Sequence, residues 1–330
     1  MTKSIARVVG ASIIAAMLAG CSGAAPPPRV NSLRLDLSRL GVSPRALAAL
    51  GPVEPATTSP PTTQGTKDLY VNDLGYNAVE ILTNDRWKIV GSITKAIDEP
   101  DANWVDSKGN LYVTDPAGDP NNGPAVTEYD KNGALVYRYN YNSYYPVGVT
   151  TDLHENVYIV DLGSGINEFA QRTNSPLFYC YPGFVEGVAV DKKGDVFVDF
   201  NATSHGEGGI VEYRGGLAGC TATALSVKLS FAGGMALDDK NDLVVCDQDA
   251  RTVDVIAPPY TAVSRMLGSG YSDPLHVSIN QTNDRAYVAD VGAWNVRVLS
   301  YPTGSKIATL DYKQGLSLPT SAVDRKNYVP

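Results

Sequence analysis

Five side chains in this sequence could bind a ligand or a metal ion if folding brought them together. They are Glu186, His276, Asn103, Trp104 and His205. A carboxylate, an amide and imidazoles can hold a divalent cation, either calcium or zinc, and such a cation could serve a hydrolase or a lyase. The same groups, with an indole among them, could instead bind a protein, a peptide or a glycan. The sequence contains neither a G-x-S-x-G elbow nor a phosphate-binding glycine loop, so it assigns no catalytic residue.

A repeated β-hairpin must position these five residues. In its clearest copy, VEGVAVDKKGDVFVDF from Val185 to Phe200, one apolar alternating run ends at Asp191, a tight Lys-Gly turn follows, and a second run ends at Asp199. The second run recurs along the chain, and its closing Asp returns at intervals of roughly 38 to 48 residues, close to the length of a four-stranded propeller blade. The other copies are Leu69–Asp73, Leu111–Asp115, Val157–Asp161, Leu243–Asp247 and Ala286–Asp290. The repeat predicts an all-β fold, a six-bladed β-propeller of four-stranded blades.

The first unit lacks the inner strand that precedes the second run in the other units. The segment PTSAVDRKN, from Pro319 to Asn327, has the inner-strand pattern but no second run after it. It is therefore predicted to pair beside Leu69–Asp73 and to close the ring, which removes the exposed edges that an open stack of sheets would leave. The propeller domain is predicted to span residues 67–330.

The five candidate residues break this repeat at one end of the predicted ring. The turns after the recurring Asp residues and the starts of the inner strands open on the same face, around the central channel. Glu186 is the only carboxylate immediately before the inner-strand Gly, His276 replaces that Gly, and Asn103 with Trp104 replaces a Gly-Val pair. His205 lies in the long loop of the fourth unit, which should overhang the same face. The recurring Asp residues themselves are predicted to be structural, because an Asp that closes a strand accepts backbone N–H bonds of the following turn and every blade needs one.

At these residues the units resemble NHL-repeat blades, which show the progression P-x-G-V-A-V-D, G-x-L-Y-V-x-D and x-x-V-x-x-Y, and the related gluconolactonase-like propellers. The resemblance covers nearly all of residues 67–327 and implies a six-bladed propeller. It does not select a function, because such propellers include lactonases, lyases, relatives of strictosidine synthase and pure binding modules.

The same resemblance allows the enzyme hypothesis to be compared with this sequence. Gluconolactonase-type propellers hold a divalent cation with Glu, Asn and Asp at the rim of different inner strands; here Glu186 is at that rim, Asn103 is displaced by one position, and no Asp occupies the third place. Zinc-dependent lyases of the NHL type need several converging histidines, and His154 belongs to a hairpin turn on the opposite face, which leaves His205 and His276. The preferred hypothesis is therefore a binding or scaffold module that acts through its channel face without a required cofactor. The alternative is a metal-dependent hydrolase or lyase that uses calcium or zinc.

The N-terminus predicts an export signal and a lipid anchor. Lys3 and Arg7 precede a short apolar run that ends in Leu18-Ala19-Gly20-Cys21, which resembles the lipobox of bacterial lipoproteins. The resemblance implies a signal peptide over residues 1–21, with diacylglycerol on the Cys21 thiol and a further acyl chain such as palmitate on its amino group, enough chains for stable anchoring. In the sorting rule of enteric bacterial lipoproteins, a residue other than Asp after the lipidated Cys favours transport to the outer membrane. With Ser22 at that place, the resemblance implies an outer membrane or cell surface rather than an inner membrane of the bacterial cell envelope. Residues 22–66 are rich in Pro, Ala and Thr and are predicted to form a tether.

Net charge and cysteine positions complete the expectations. A formal net charge of -8 argues against nucleic acid as a partner, and the propeller is expected to be monomeric. Cys180 lies in the outer part of the third unit and Cys220 in the outer part of the fourth, so a disulfide between neighbouring outer strands is predicted. Cys246 lies inside the apolar run LVVCD and is predicted to be a small buried residue.

Overall fold

Short β-strands make up almost all of the regular structure. The structure is a computed structural model, and it describes residues 68–119, 123–162, 164–201 and 208–326. The predicted signal peptide with Cys21, the predicted tether and His205 lie outside the described residues, so these predictions stay predictions. Within the residues that the structure describes, no helix is both long and apolar enough to cross a membrane.

The described strands are numbered in chain order. The first twelve are β1 Asp68–Asp73, β2 Ala78–Thr83, β3 Ile89–Ile93, β4 Asn103–Val105, β5 Leu111–Asp119, β6 Gly123–Tyr129, β7 Leu135–Tyr139, β8 Pro146–Thr151, β9 Val157–Asp161, β10 Gly165–Phe169, β11 Phe178–Cys180 and β12 Val188–Val190. The remaining twelve are β13 Val196–Asn201, β14 Gly208–Tyr213, β15 Ala222–Ala224, β16 Ala232–Leu237, β17 Leu243–Asp247, β18 Thr252–Ile256, β19 Arg265–Met266, β20 Pro274–Ile279, β21 Arg285–Asp290, β22 Asn295–Ser300, β23 Lys306–Leu310 and β24 Pro319–Asp324. Short 3-10 helices occupy Ala218–Cys220, Val291–Ala293 and Tyr312–Gln314.

These strands form six four-stranded antiparallel sheets, the blades of a β-propeller, as the sequence repeat predicts. Blade 1 has the strand order β24-β1-β2-β3, and blades 2 to 6 are built from the consecutive quartets that begin at β4, β8, β12, β16 and β20. The inner strands, which surround the channel, are therefore β4, β8, β12, β16, β20 and β24.

The last strand closes the ring as predicted. It pairs antiparallel with β1, with Leu69 opposite Asp324, Tyr70 opposite Val323 and Asn72 opposite Ser321. All six residues of β24 are buried. The first blade is therefore assembled from the two ends of the domain, and neither end is complete without the other.

Apolar residues fill both faces of the inner parts of each blade, because each sheet is covered by a neighbour on both sides. Every residue of β1 and of β9 is buried, whereas the outer strands β3 and β23 are partly exposed. One interblade core joins blades 1 and 2 through Tyr70, Val105 and Val113. Another joins blades 6 and 1 through Tyr287 and Ala322.

The channel has two ends, which differ in what lies there. We call the end where the inner strands begin and the second strands finish the mouth, and the other end, where each inner strand turns into its second strand, the hairpin-turn end. At the hairpin-turn end, Asp152 accepts the backbone N–H groups of His154 and Asn156 at 2.8 and 2.9 Å. His154 therefore lies away from the mouth, as predicted. Asp106, Asp191 and Asp238 make the same pair of bonds in their own blades.

The recurring Asp residues at the mouth are structural, as predicted, although most of their bonds differ from those expected. The prediction placed the accepted N–H groups in the following turn, and Gly75 and Gly118 do donate from there. In every blade, however, the carboxylate also accepts N–H groups from the segment that leads into the inner strand of the same blade. Asp161, for example, accepts from the backbone of Tyr144 and Tyr145, each at 2.9 Å. Each of these residues therefore clamps the start of an inner strand onto the end of the second strand.

The predicted disulfide is present, between Cys180 of β11 and Cys220 of the 3-10 helix that precedes β15. It joins the outer edges of blades 3 and 4 across a sequence separation of 40 residues. Cys246 is buried and has a free thiol, as predicted.

Candidate functional site

The candidate site is a narrow cavity at the mouth of the channel. It has a volume of about 30 Å³ and is lined by residues from all six inner strands and by the rim residue Glu186. A volume of this size holds one or two groups of the size of a water molecule. The cavity can therefore admit the end of a side chain but not a sugar ring or a folded segment.

The channel is narrow because glycine lets the inner strands approach one another. A Cβ atom on Gly187 would come within 2.4 Å of the carbonyl oxygen of Gly233 on the neighbouring blade. A Cβ atom on Gly234 would come within 2.4 Å of the Nδ1 atom of His276. These contacts are too short for any larger residue, so blades 4 and 5 present bare backbone to the channel at this level.

The same level of the channel carries polar side chains on the other side. One inner-strand position is glycine in blades 3 to 5, as Gly148, Gly187 and Gly234. In the other three blades, which are adjacent in the ring, the same position is polar: His276 in blade 6, Ser321 in blade 1 and Asn103 in blade 2. All six residues line the cavity. The ring at the mouth is thus divided into a glycine half and a polar half.

Glu186 lies at the rim above the glycine half. Its own N–H and that of Gly187 are held by Asp199 at 2.8 and 2.7 Å, and its Oε2 atom accepts a hydrogen bond from Gln248 Nε2 at 2.5 Å. Burial raises the pKa of the Glu186 carboxyl well above its ordinary value, and the nearby Asp199, Asp101 and Asp273 carboxylates raise this pKa further. The hydrogen bond from Gln248 lowers the pKa but does not offset these effects. The carboxyl therefore holds a proton more readily than an exposed Glu does.

His276 is buried and faces a carboxylate. It is 9% exposed, and its Nε2 atom lies 3.3 Å from Oδ1 of Asp101, a residue far away in sequence on blade 2. The register of β20 against β21 shifts between Pro274 and His276, next to the mouth. The pair spans the polar half of the ring from blade 6 to blade 2.

The neighbours Asn103 and Trp104 point to different places because side chains alternate along a strand. Asn103 Nδ2 donates to Asn72 Oδ1 of blade 1 at 3.0 Å, and its Oδ1 atom is buried without a hydrogen-bond partner among the described residues. The Trp104 indole lies in the core between blades 2 and 3, where its Nε1–H donates to Thr151 Oγ1 at 3.0 Å. Asn103 thus contributes a side chain to the channel, whereas the indole of Trp104 contributes to interblade packing.

The structure adds Asp101, Gln248, Asp273 and Ser321 to the residues singled out from sequence. Two of them break the repeat in a way that the sequence already shows. Asp101 is the only charged residue at its place, where the other inner strands have Pro, Val or Ala, and Gln248 is the only polar residue directly after a recurring Asp. Asp273 lies at the rim of blade 6, where burial raises the pKa of its carboxyl to about 6 and the Asp290 and Asp249 carboxylates add to the shift.

The rim is rich in carboxylates, but they do not form a metal centre by themselves. Across the parts of the chain that the structure describes, no three His, Cys, Asp or Glu side chains cluster closely enough to hold a metal ion. Glu186, His276 and Asn103 instead each bond to a different protein group, namely Gln248, Asp101 and Asn72. The arrangement can present negative charge and hydrogen-bond acceptors to something that approaches the mouth.

Comparison with known proteins shows the fold. No protein-family model and no curated protein matches the sequence. A chain in the crystal structure of a nidogen/laminin complex is similar, with a TM-score of 0.64 and 14% sequence identity, over 78% of this chain and 98% of that chain. A protein of unknown function from Bacteroides caccae is also similar, with a TM-score of 0.59 and 15% identity, over 78% of this chain and 98% of that chain. At such low identity the likeness supports the β-propeller fold alone.

Proposed function

We propose that this β-propeller is a binding module that recognises a protein, a peptide or a glycan at the mouth of its channel. One observation carries the proposal: four polar residues that each break the repeat in a single blade, Glu186, His276, Asn103 and Ser321, line the same cavity at the mouth. At the opposite end, blades 2 to 5 repeat the same pair of turn bonds. Since the repeated residues serve the fold, these four exceptional residues at the mouth are the candidates to serve a ligand.

The state of the polar groups favours recognition over catalysis. Glu186 is hydrogen-bonded by Gln248, and His276 lies against Asp101, so both side chains are held in place before any ligand arrives. Side chains fixed in this way lower the cost of ordering the site on binding. The cavity is too small to enclose a substrate, so the ligand would lie across the mouth and insert only one small group.

The comparison with solved structures agrees with this proposal at the level of the fold. The nidogen/laminin structure is a complex of two proteins. A propeller is therefore a suitable scaffold for binding another protein, and the ligand of the present chain has to be argued from its own mouth residues.

We also propose that the protein is exported and held in a bacterial envelope by acyl chains on Cys21, with residues 22–66 as the tether. The proposal rests on the lipobox-like LAGC ending and the apolar run before it. Feeding producing cells an alkyne analogue of palmitate should label the wild-type protein, and Cys21→Ser should abolish both the label and recovery with membranes. Equal membrane recovery of Cys21→Ser would contradict the anchor.

Site-specific photo-crosslinking tests the binding face. A benzoylphenylalanine placed at the exposed Ala250 reports on the mouth, and one at the exposed Asp239 reports on the hairpin-turn end of the same blade. In the cells that produce the protein, irradiation should give a defined adduct from position 250 and none from position 239. Adducts from both positions alike, from position 239 alone, or from neither would contradict recognition at the mouth.

A further inference from the structure

The mouth contains acceptor atoms that call for a hydrogen-bond donor. Asn103 Oδ1 and Ser321 Oγ are buried and have no hydrogen-bond partner among the described residues. Ser321 is only 2% exposed, and both residues line the cavity. An amide oxygen can only accept, so the group that completes Asn103 must be a donor. A buried polar atom left unpaired costs free energy, which a donating ligand would recover.

The rim above these atoms is rich in carboxyl groups. Glu186 lies close enough to Asp101 and Asp273 for their charges to raise its pKa. Arg251 lies near Asp273, and His276 lies against Asp101. Carboxylates that face one another across a narrow opening attract a cation and repel an anion.

The size of the cavity limits what the cation can be. About 30 Å³ admits one ammonium group with a water molecule. A guanidinium is a broad planar fork with five donors, whereas an ammonium is a compact group with three. A calcium ion requires six to eight oxygen ligands, more than the two unpaired acceptors and one carboxyl of this cavity offer.

We propose that the mouth binds a primary ammonium group on an alkyl chain, with Glu186 as its counter-ion at the rim and Asn103 and Ser321 as acceptors below. The inference rests on the proposed function, because it specifies what the ligand inserts into the mouth. A lysine side chain of a protein partner and a free alkylamine share this chemistry, and the experiment below separates the two sources.

The site predicts that binding is linked to proton release. The groups that face Glu186 are Asp199, Asp101, Asp273 and Tyr145, together with the neutral Gln248. Because burial and these carboxylates favour the protonated carboxyl, an ammonium must displace a proton to gain a charged partner. Affinity should therefore rise with pH for as long as the lysine ammonium stays charged.

Calorimetry on the full chain in nonionic detergent tests the inference. The probes are the peptide acetyl-Gly-Gly-Lys-Gly-Gly-amide, the same peptide with Nε-acetyl-lysine, the same peptide with Arg, n-butylamine and calcium chloride. The lysine peptide should bind, and acetylation should weaken its affinity at least tenfold because the charge and two donors are lost. The Arg peptide should bind more weakly than the lysine peptide. Lysine-peptide affinity that exceeds that of butylamine tenfold indicates a protein source, and equal affinities indicate a free amine.

Variants identify the residues. Glu186→Gln keeps the shape of the side chain. It should lower the affinity for the lysine peptide at least tenfold and abolish proton release, which is measured from the dependence of the binding heat on the ionisation heat of the buffer. Ser321→Ala should lower the affinity for the lysine peptide severalfold. Asp239→Asn, which removes an exposed carboxylate at the hairpin-turn end, is the matched control and should bind as wild type does. Thermal melts should show that all three variants are folded.

Four results would overturn the inference: no binding of the lysine peptide, equal binding of its acetylated form, unchanged affinity in Glu186→Gln, or stoichiometric calcium that excludes the peptide. Its failure is distinguishable from failure of the proposed function. If the adduct at position 250 forms in cells and survives Glu186→Gln, recognition at the mouth stands and the ammonium inference is wrong. If no adduct forms there, the proposed function itself fails.

Discussion

The hairpin-turn end and the mouth are made by the same blades, but they differ in how far the blades resemble one another. At the hairpin-turn end, Asp106, Asp152, Asp191 and Asp238 each accept the N–H groups two and four residues further on. At the mouth the clamping Asp residues also repeat, yet the inner-strand Gly is replaced by His, Ser or Asn in three blades, and a Glu precedes it in blade 4.

This difference separates two kinds of residue. The repeated ones hold backbone N–H groups that would otherwise be buried without a partner, so they stabilise the fold. The residues that occur once have other surroundings. Asn103 and Ser321 keep buried oxygen atoms without a hydrogen-bond partner among the described residues, and Glu186 and Asp273 place partly buried carboxyls near other carboxylates. Such groups reduce stability and are therefore expected where a protein binds something.

The largest effect is expected from removing a feature that both ends share, the closing strand. Deletion of residues 319–330 exposes β1 and removes the buried Ala322, Val323 and Asp324. The loss should match or exceed the total stability of a domain, about 5–15 kcal/mol, so the chain should lose its cooperative thermal transition by circular dichroism. Truncation after Lys326 keeps β24 and should melt cooperatively; a folded deletion variant would show that the closure is dispensable.

The next largest effect is expected from removing the disulfide, a feature that occurs once in the described residues but lies away from the mouth. The Cys180–Cys220 bond closes a loop with a sequence separation of 40 residues. By chain entropy its removal should cost about 3–4 kcal/mol. The double variant Cys180→Ser with Cys220→Ser should lower the midpoint of urea unfolding without weakening binding at the mouth. Cys246→Ala, which changes a buried free thiol and leaves the disulfide intact, is the comparison variant. A changed affinity in the double variant would link the outer edge to the mouth.

A clamp residue should show a smaller loss of the same sign. Asp161→Ala leaves the N–H groups of Tyr144 and Tyr145 without their acceptor. Two unpaired donors should cost about 2–3 kcal/mol in urea unfolding. Asp239→Ala, at an exposed position, should change stability by less than about 0.5 kcal/mol. If both variants unfold alike, the recurring Asp at the mouth is not a clamp.

The smallest effect has the opposite sign and comes from the rim. The pKa of Asp273 is raised from 3.8 to about 6, so its carboxyl contributes full stability below pH 3.8 and loses it as the pH rises to about 6. Asp273→Asn does not titrate and should be more stable than wild type by about 1–2 kcal/mol at pH 8, after allowance for solvent screening. Urea unfolding at pH 4.5 and 8 measures this: the gain should shrink at pH 4.5. A loss of stability at pH 8 would place Asp273 among the structural residues.

The repeat itself was fully readable from the sequence. Alternating apolar runs, Lys-Gly turns and the closing Asp residues are local features, so they predict the hairpins, the number of blades and even the return of Pro319–Asp324 to β1. The disulfide followed from the same reasoning, because Cys180 and Cys220 occupy the outer parts of consecutive units. Such predictions depend only on which strand a residue belongs to.

What the tertiary structure alone decided is which of the exceptional residues meet. Alternation along β4 sends Asn103 toward blade 1 and Trp104 into the core between blades 2 and 3, although the two are adjacent in sequence. Contacts between blades join His276 to Asp101 and Glu186 to Gln248, pairs that lie far apart in the chain. A repeat fixes each residue's place within its own blade, but the distance between blades across a narrow ring depends on how closely their backbones approach, and here the glycines of blades 3 to 5 set that distance.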